Sequence, residues 1–234
     1  IQTPDVVETS RLGRLEFFDG MPSDETVRKV YDQLDFSRGV ETFLTGCPAA
    51  SIYAFLQGMK QAGMGTFSMG IHEQLFDART LWLTPNTTTL YCVAEINVED
   101  GPTVMEVPPG VLGPVDDAYF RWVTDVGLTG PDKGAGGDYL FVPPGHKGTL
   151  PEKGFHVSQP RTNRLLVFYR VFVENGDLAA ATAGVKAKAA VFPLSQAANP
   201  PAASFVNLSG VKFNTISAND FSFYEELNAV VQNE

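Results

Sequence analysis

Residues 125–145 read DVGLTGPDKGAGGDYLFVPPG and hold six glycines, with Asp132 and Lys133 between Gly130 and Gly134. A glycine-rich loop with a lysine can cradle phosphate, because bare backbone N–H groups converge on the anion and the lysine adds charge. That chemistry needs the lysine after the last glycine, at the start of a helix, followed by Ser or Thr. Here Lys133 precedes Gly134, and Tyr139 opens a strand-like run instead of a helix. The dinucleotide fingerprint also fails, since Tyr139 occupies the place of its third glycine. The segment is therefore expected to be a long turn between strands, with Asp132 and Lys133 at its tip. No nucleotide cofactor is expected.

Metal chemistry is tested next. His72, His146 and His156 are far apart, with no HxH or HExxH spacing, so no metal site is expected. No nucleophile elbow surrounds any serine. Cys47 and Cys92 have no recognisable catalytic partner and are expected to be buried thiols or a single disulfide.

What remains is polar residues on strands. In YFRWVTDV (119–126), alternation puts Tyr119, Arg121, Val123 and Asp125 on one face. In NRLLVFYRVFV (163–173), Leu166, Phe168, Arg170 and Phe172 share a face, so Arg170 lies among aromatics. A guanidinium there is costly unless paired. Two readings stand side by side. Each arginine pairs with a carboxylate, Asp125 or Glu95, and fixes the sheet. Alternatively, Arg121 and Arg170 line a polar pocket for a carboxylate or sugar, with Asn86, Tyr91, Tyr119 and Asp125 in support. Asp116 and Asp117 read as turn residues.

The elements that must position these groups follow from pattern. Residues 1–21 read as an arm with a short strand, RLEFF, closed by an Asp19-Gly20 turn. Residues 22–65 read as a small helical unit: Ser23 is a natural N-cap, two acids follow, and helical segments are expected over 24–34, 36–46 and 48–62. Residues 66–176 carry alternating runs such as TTLYCVAEINV, TVMEV, YLFVP and FHVSQ between Gly/Pro turns, so an antiparallel sandwich or barrel is expected. EVPPGVLG and FVPPGHKG read as two equivalent sheet corners. Residues 177–234 hold a helix over 177–192 capped by Asp177, a crossing segment, and an amphipathic C-terminal helix whose apolar face needs a cover. The fold class is mainly β with an α-helical accessory unit.

Charge limits the partners. A net charge of −10 and a pI near 4.8 repel nucleic acid, and no apolar run is long enough to span a bilayer. The chain opens on Ile1 and is expected to be a processed or trimmed product.

Four stretches carry a family likeness: TPDVVETSRLGRLEFFDGMPSDETVRKVYDQLDF, LTPNTTTLY, GPTVMEVPPGVLGPVDDAYFRWVTDVGLTGPDKGAGGDYLFVPPG and SGVKFNTISANDFSFYEELNAVVQNE. In these the chain resembles the bacterial domain-of-unknown-function 1254 family, over essentially its whole length. The resemblance implies a jelly-roll-like β domain and a longer protein continuing into a second jelly roll, the domain of unknown function 1214. It also implies export, to the periplasm or outside the cell. Thr88 departs from the family pattern, where Asp often stands third in NTDT. The family brings no settled catalytic residues. The resulting expectation is an exported protein of tandem jelly-roll type that binds, and in one version processes, a carbohydrate or small organic acid. Any catalysis would be of hydrolase or lyase type, without metal or nucleotide. The competing expectation is an assembly protein that oligomerises through its arm and C-terminal helix.

Overall fold

The computed structural model describes residues 4–78, 81–82, 85–212 and 214–234. Residues 79–80 and 83–84, within the stretch where the sheet was expected to begin, lie outside them. Contacts divide the chain into two units, Ile1–Cys47 and Pro48–Glu234.

In the first unit, β1 (Val6–Thr9), β2 (Gly13–Phe18) and β3 (Met21–Pro22) form an antiparallel meander. Asp19 and Gly20, with φ of 51° and 81°, close the β2–β3 turn as the Asp-Gly pair predicts. Helix α1 (Asp24–Gln61) starts where Ser23 Oγ accepts the Thr26 N–H at 3.2 Å. The Thr26 hydroxyl is buried and bonds both the N–H and the carbonyl of Glu16, which ties the helix start to β2.

The three expected helical segments are one helix of 38 residues. Pro48 removes one helical hydrogen bond, and Ala49, Ala50 and Ile52 beyond it are almost fully buried, which offsets that cost. The boundary between the two units falls at this proline.

The second unit is mainly β. Its strands are β4 (Ser68–His72), β5 (Thr89–Asn97), β6 (Thr103–Val107), β7 (Leu112–Asp117), β8 (Trp122–Gly127), β9 (Gly137–Phe141), β10 (His156–Ser158) and β11 (Arg164–Phe172). Helix α2 (Leu178–Lys186), β12 (Ala190–Pro193), β13 (Ser204–Asn207) and α3 (Ser222–Asn233) complete it. A six-stranded sheet has the order β13-β4-β5-β11-β7-β8, and a four-stranded sheet the order β10-β9-β6-β12. The two share one core, in which Leu90, Cys92, Ile96, Val115, Val167 and Tyr169 of the larger sheet meet Met105, Tyr139 and Phe141 of the smaller. The other face of the large sheet presents Val93 and Leu166 to Ile52, Leu56 and Met59 of α1. The period-2 pattern of β5 and β11 thus becomes two apolar faces.

Several expectations change. The pairing is antiparallel at the centre, yet β10 joins β9 and β13 joins β4 in parallel at the edges. The helix expected over 177–192 ends at Lys186, and Ala190–Pro193 pairs with β6 as an edge strand. That placement suits Pro193, which has no N–H to donate. Asp116 and Asp117 end a strand, and both are buried. Phe120 and Arg121 sit in the β7–β8 turn, with Phe120 at φ 59°, so strand alternation does not govern them. Part of the apolar stripe of α3 is covered within its own unit, where Val230 and Leu227 pack on Ala49, Tyr53, Ala118 and Tyr119, while Phe221 and Val231 stay exposed. Neither cysteine forms a disulfide.

Candidate functional site

The glycine loop is closed on itself. Asp132 is buried between β8 and β9, and its carboxylate accepts the N–H of Gly127 at 2.8 Å, the N–H of Gly136 at 3.0 Å and the Tyr139 hydroxyl. Amides that would face a phosphate are occupied by the loop's own aspartate. Lys133, at φ 51°, turns the tip, as the reading of a long inter-strand turn expects.

The histidines have separate settings. His72 is buried against Phe76 and Trp82, at ring distances of 4.4 and 5.0 Å. Burial pushes its imidazole down to about 4, so it is neutral at neutral pH. His156 lies 5.0 Å from the Tyr139 ring. Among the described residues, no three His, Cys, Asp or Glu side chains gather as metal ligands.

Among the described residues, three clefts in the second unit are lined by arginines. The first, about 210 Å³, lies between α1, α3 and β11. Its cations are already engaged: Lys60 with Glu95 at 3.3 Å, and Arg164 with Glu234 at 3.0 Å, Glu99 at 3.6 Å and Glu95 at 3.7 Å. Glu95, one expected partner of Arg170, is therefore taken by Arg164 and Lys60.

The second is a basin of about 530 Å³ beside the β7–β8 turn, lined by Arg121, Trp122 and Arg161. Arg121 Nε forms an ion pair with Asp117 Oδ2 at 3.1 Å. The other Asp117 oxygen accepts the N–H groups of Tyr119 and Arg121, which holds the turn. Asp125, the other expected partner, instead accepts the indole N–H of Trp122 at 3.0 Å.

The third cleft, about 290 Å³, lies on the helix-covered face of the large sheet. Its walls are Phe55, Trp82, Pro85, Phe120 and Phe168, and its polar rim is Ser51, Tyr91, Arg170 and Thr215. Strands β5 and β11 set Tyr91 directly opposite Arg170. Arg170 Nε donates to the Tyr91 hydroxyl at 3.3 Å, and its guanidinium lies 5.8 Å from the Tyr91 ring. That hydroxyl also accepts the N–H of Asn86 at 3.0 Å. With two donors on its oxygen, the phenol directs its own proton elsewhere. Behind it, Tyr91 stacks on Phe76 at 4.8 Å, and Phe55 meets Trp82 edge-on at 4.9 Å.

Among the described residues, no carboxylate meets Arg170. Its terminal N–H groups thus remain as a donor fork at the edge of an aromatic cleft. The structure brings Asn86, Tyr91 and Arg170 together and sets Arg121 at the neighbouring basin, which Asp125 reaches through its hydrogen bond with Trp122. Asn86 acts through its backbone, because its side-chain oxygen accepts from the amides and hydroxyls of Thr88 and Thr89. Strand alternation places Phe168 beside Arg170, whereas Phe55, Trp82 and Phe120 are not reached by sequence reasoning about the site. The tryptophan in LWLTPN is a further signal, a large aromatic in a proline-bearing loop.

One acid near the turn titrates near neutrality. Burial, then the Asp117 and Asp125 carboxylates, push Asp116 up to about 6 from an ordinary 3.8. A folded value above the unfolded one favours the protonated form, so this group's stabilisation is full below about pH 4 and is lost as pH rises through 6. Asp116→Asn should therefore stabilise the protein above pH 7 by about 1–2 kcal/mol, and by almost nothing at pH 4. Thermal melts at the two pH values check this, and equal shifts at both would remove Asp116 as the cause.

Comparison with known proteins gives the family. A family model described as "Protein of unknown function (DUF1254)" matches residues 67–193. The chain belongs to the DUF1254 family. No curated protein matches this DUF1254 chain. Among solved structures it is similar to the VPA0106 protein from Vibrio parahaemolyticus, with a TM-score of 0.58 at 15% identity. The match covers 82% of the DUF1254 chain and 45% of the Vibrio chain, so the present chain spans less than half of that protein. At this identity the likeness speaks for the fold alone.

Proposed function

We propose that this DUF1254 protein binds a small organic acid with an apolar body in the cleft between α1 and the large sheet. The observation that carries the reading is Arg170, a guanidinium without a carboxylate partner among the described residues, set at the rim of an aromatic cleft. A half-buried guanidinium at an apolar wall gains from a ligand anion that takes up its remaining donors. The Arg170 fork takes the carboxylate, the Tyr91 hydroxyl donates to it, and Phe55, Trp82, Phe120 and Phe168 enclose the body. A volume of about 290 Å³ suits a single ring or short chain. Binding is the activity this reading assigns, and any processing would be hydrolytic or lyase-like.

The β sandwich reads as jelly-roll-like. The family likeness supports export to the periplasm or beyond, and continuation of the protein into a C-terminal jelly-roll domain or a second chain. An assembly role is the second reading. It is favoured by exposed apolar residues in the first unit, among them Phe18, Tyr31, Phe36 and Leu44, each at least 60% exposed.

A melting screen against small aliphatic and aromatic carboxylates tests the binding reading. An acid at about a hundred times its Kd should raise Tm by roughly 5–10 °C. Arg170→Gln should weaken it about tenfold while leaving the ligand-free Tm close to wild type. A panel with no stabilising acid, together with a multimeric mass by light scattering, would favour assembly instead.

A further inference from the structure

We propose that the basin beside the β7–β8 turn is a second site, which takes a short acidic sugar by stacking a hexuronate ring on Trp122. It uses residues separate from those around Arg170 and does not depend on the acid site. Three features point to it.

The first is the platform. Trp122 lines the basin and is 67% exposed, although large aromatic surface is ordinarily withdrawn from water. Its ring is held in place by the hydrogen bond from its indole N–H to Asp125. A fixed, exposed indole offers its electron-rich face to the weakly positive C–H groups of a pyranose ring, at little cost in side-chain freedom.

The second is charge. Asp117, Arg121 and Arg161 are the charged groups lining the basin, two cations against one anion. Asp117 is committed to two backbone amides and Arg121 Nε. Arg121 is anchored twice, by Asp117 and by lying 4.9 Å over the Tyr119 ring, so its terminal N–H groups are pre-positioned. Among the described residues, Arg161 has no carboxylate partner. The lining thus offers two guanidinium groups against one carboxylate, with the nearby Asp125 engaged by the Trp122 indole N–H, in a chain of net charge −10. A planar guanidinium fork matches a carboxylate. The acidic remainder of the protein repels a polyanion, which selects one or two sugar rings over a long acidic polymer.

The third is the polar lining. Gln159 gives its side-chain N–H to the carbonyl of Pro143 at 3.0 Å, which turns the amide into a fixed acceptor. Ser158 lines the same wall. An acceptor and a hydroxyl beside an aromatic platform suit the ring hydroxyls of a sugar.

The chain has two tryptophans, and each lines a different cavity. In Trp82→Phe the fluorescence reports Trp122 alone. Titration of that variant with galacturonate should give a saturable change, and galactose should bind about tenfold more weakly. Adding Arg161→Gln should remove most of that difference, and adding Arg170→Gln should leave the response unchanged. Calorimetric titration of the wild-type chain against Arg161→Gln gives the same comparison without touching Trp82. No saturable response to galacturonate at millimolar concentrations would overturn the proposal. So would equal affinity for galactose and galacturonate, or loss of the response in Arg170→Gln.

Discussion

Asp132→Ala should cost about 3 kcal/mol or more, the largest loss expected from a single polar side chain in this protein. Asp132 is 7% exposed, and its two oxygens satisfy two loop amides and the fully buried hydroxyl of Tyr139. Removing them leaves two buried donors, Gly127 N–H and the Tyr139 hydroxyl, and the half-buried Gly136 N–H without partners, at roughly 1–3 kcal/mol for each buried one before any water enters. Burial and the neighbouring carboxylate push the Tyr139 phenol up, so it stays protonated and remains a donor at any ordinary pH. A fall in Tm of about 6–12 °C is expected for a chain of this size. Tyr139→Phe removes one donor and leaves the carboxylate with its two amides, so it should cost only about 1 kcal/mol. Similar losses for the two variants would mean that the loop does not depend on the aspartate. The effect is purely structural, which is why neither acid nor sugar affinity should follow it closely.

Gly113→Ala should be comparably destructive for a steric reason. A Cβ built on Gly113 would lie 2.1 Å from the backbone oxygen of Phe168 and 2.5 Å from the Tyr169 Cα. Both neighbours are backbone or fully buried, so β7 has to move away from β11, and the core around Val115 and Tyr169 opens. Overpacking of this kind costs about 3 kcal/mol. The damage also reaches the acid site, because Phe168 and Arg170 stand on the displaced strand. Thermal melts and acid titration should therefore fall together in this variant. Gly184→Ala is the natural control, since nothing lies within 4 Å of its added Cβ and it sits in α2. It should be stabilising by about 0.5–1 kcal/mol. A neutral Gly113→Ala would show that the two strands separate without strain.

Local pattern carried much of the fold. The alternation in TTLYCVAEINV and NRLLVFYRVFV places Leu90, Cys92, Val167 and Tyr169 in one core and Tyr91 and Arg170 on the opposite face. Ser23 and Asp177 cap helices as their types predict. Misreadings arose where local and tertiary signals compete. Asp116 and Asp117 read as turn residues, yet β11 on one side and β8 on the other hold LGPVDD as a strand. AKAAVFP continues a helical composition, yet Ala190–Pro193 meets the free edge of β6.

For the site, sequence determined the parts: which face each strand residue takes, that the glycine loop lacks a phosphate-binding order, and that Arg170 stands among aromatics. Tertiary structure decided which charges meet. Glu95 goes to Arg164 and Lys60, Asp117 to Arg121 and Asp125 to Trp122, while Arg170 has the Tyr91 hydroxyl and, among the described residues, no carboxylate. Ion pairing depends on separations of a few ångströms between residues distant in the chain, and side-chain periodicity carries no information about those distances.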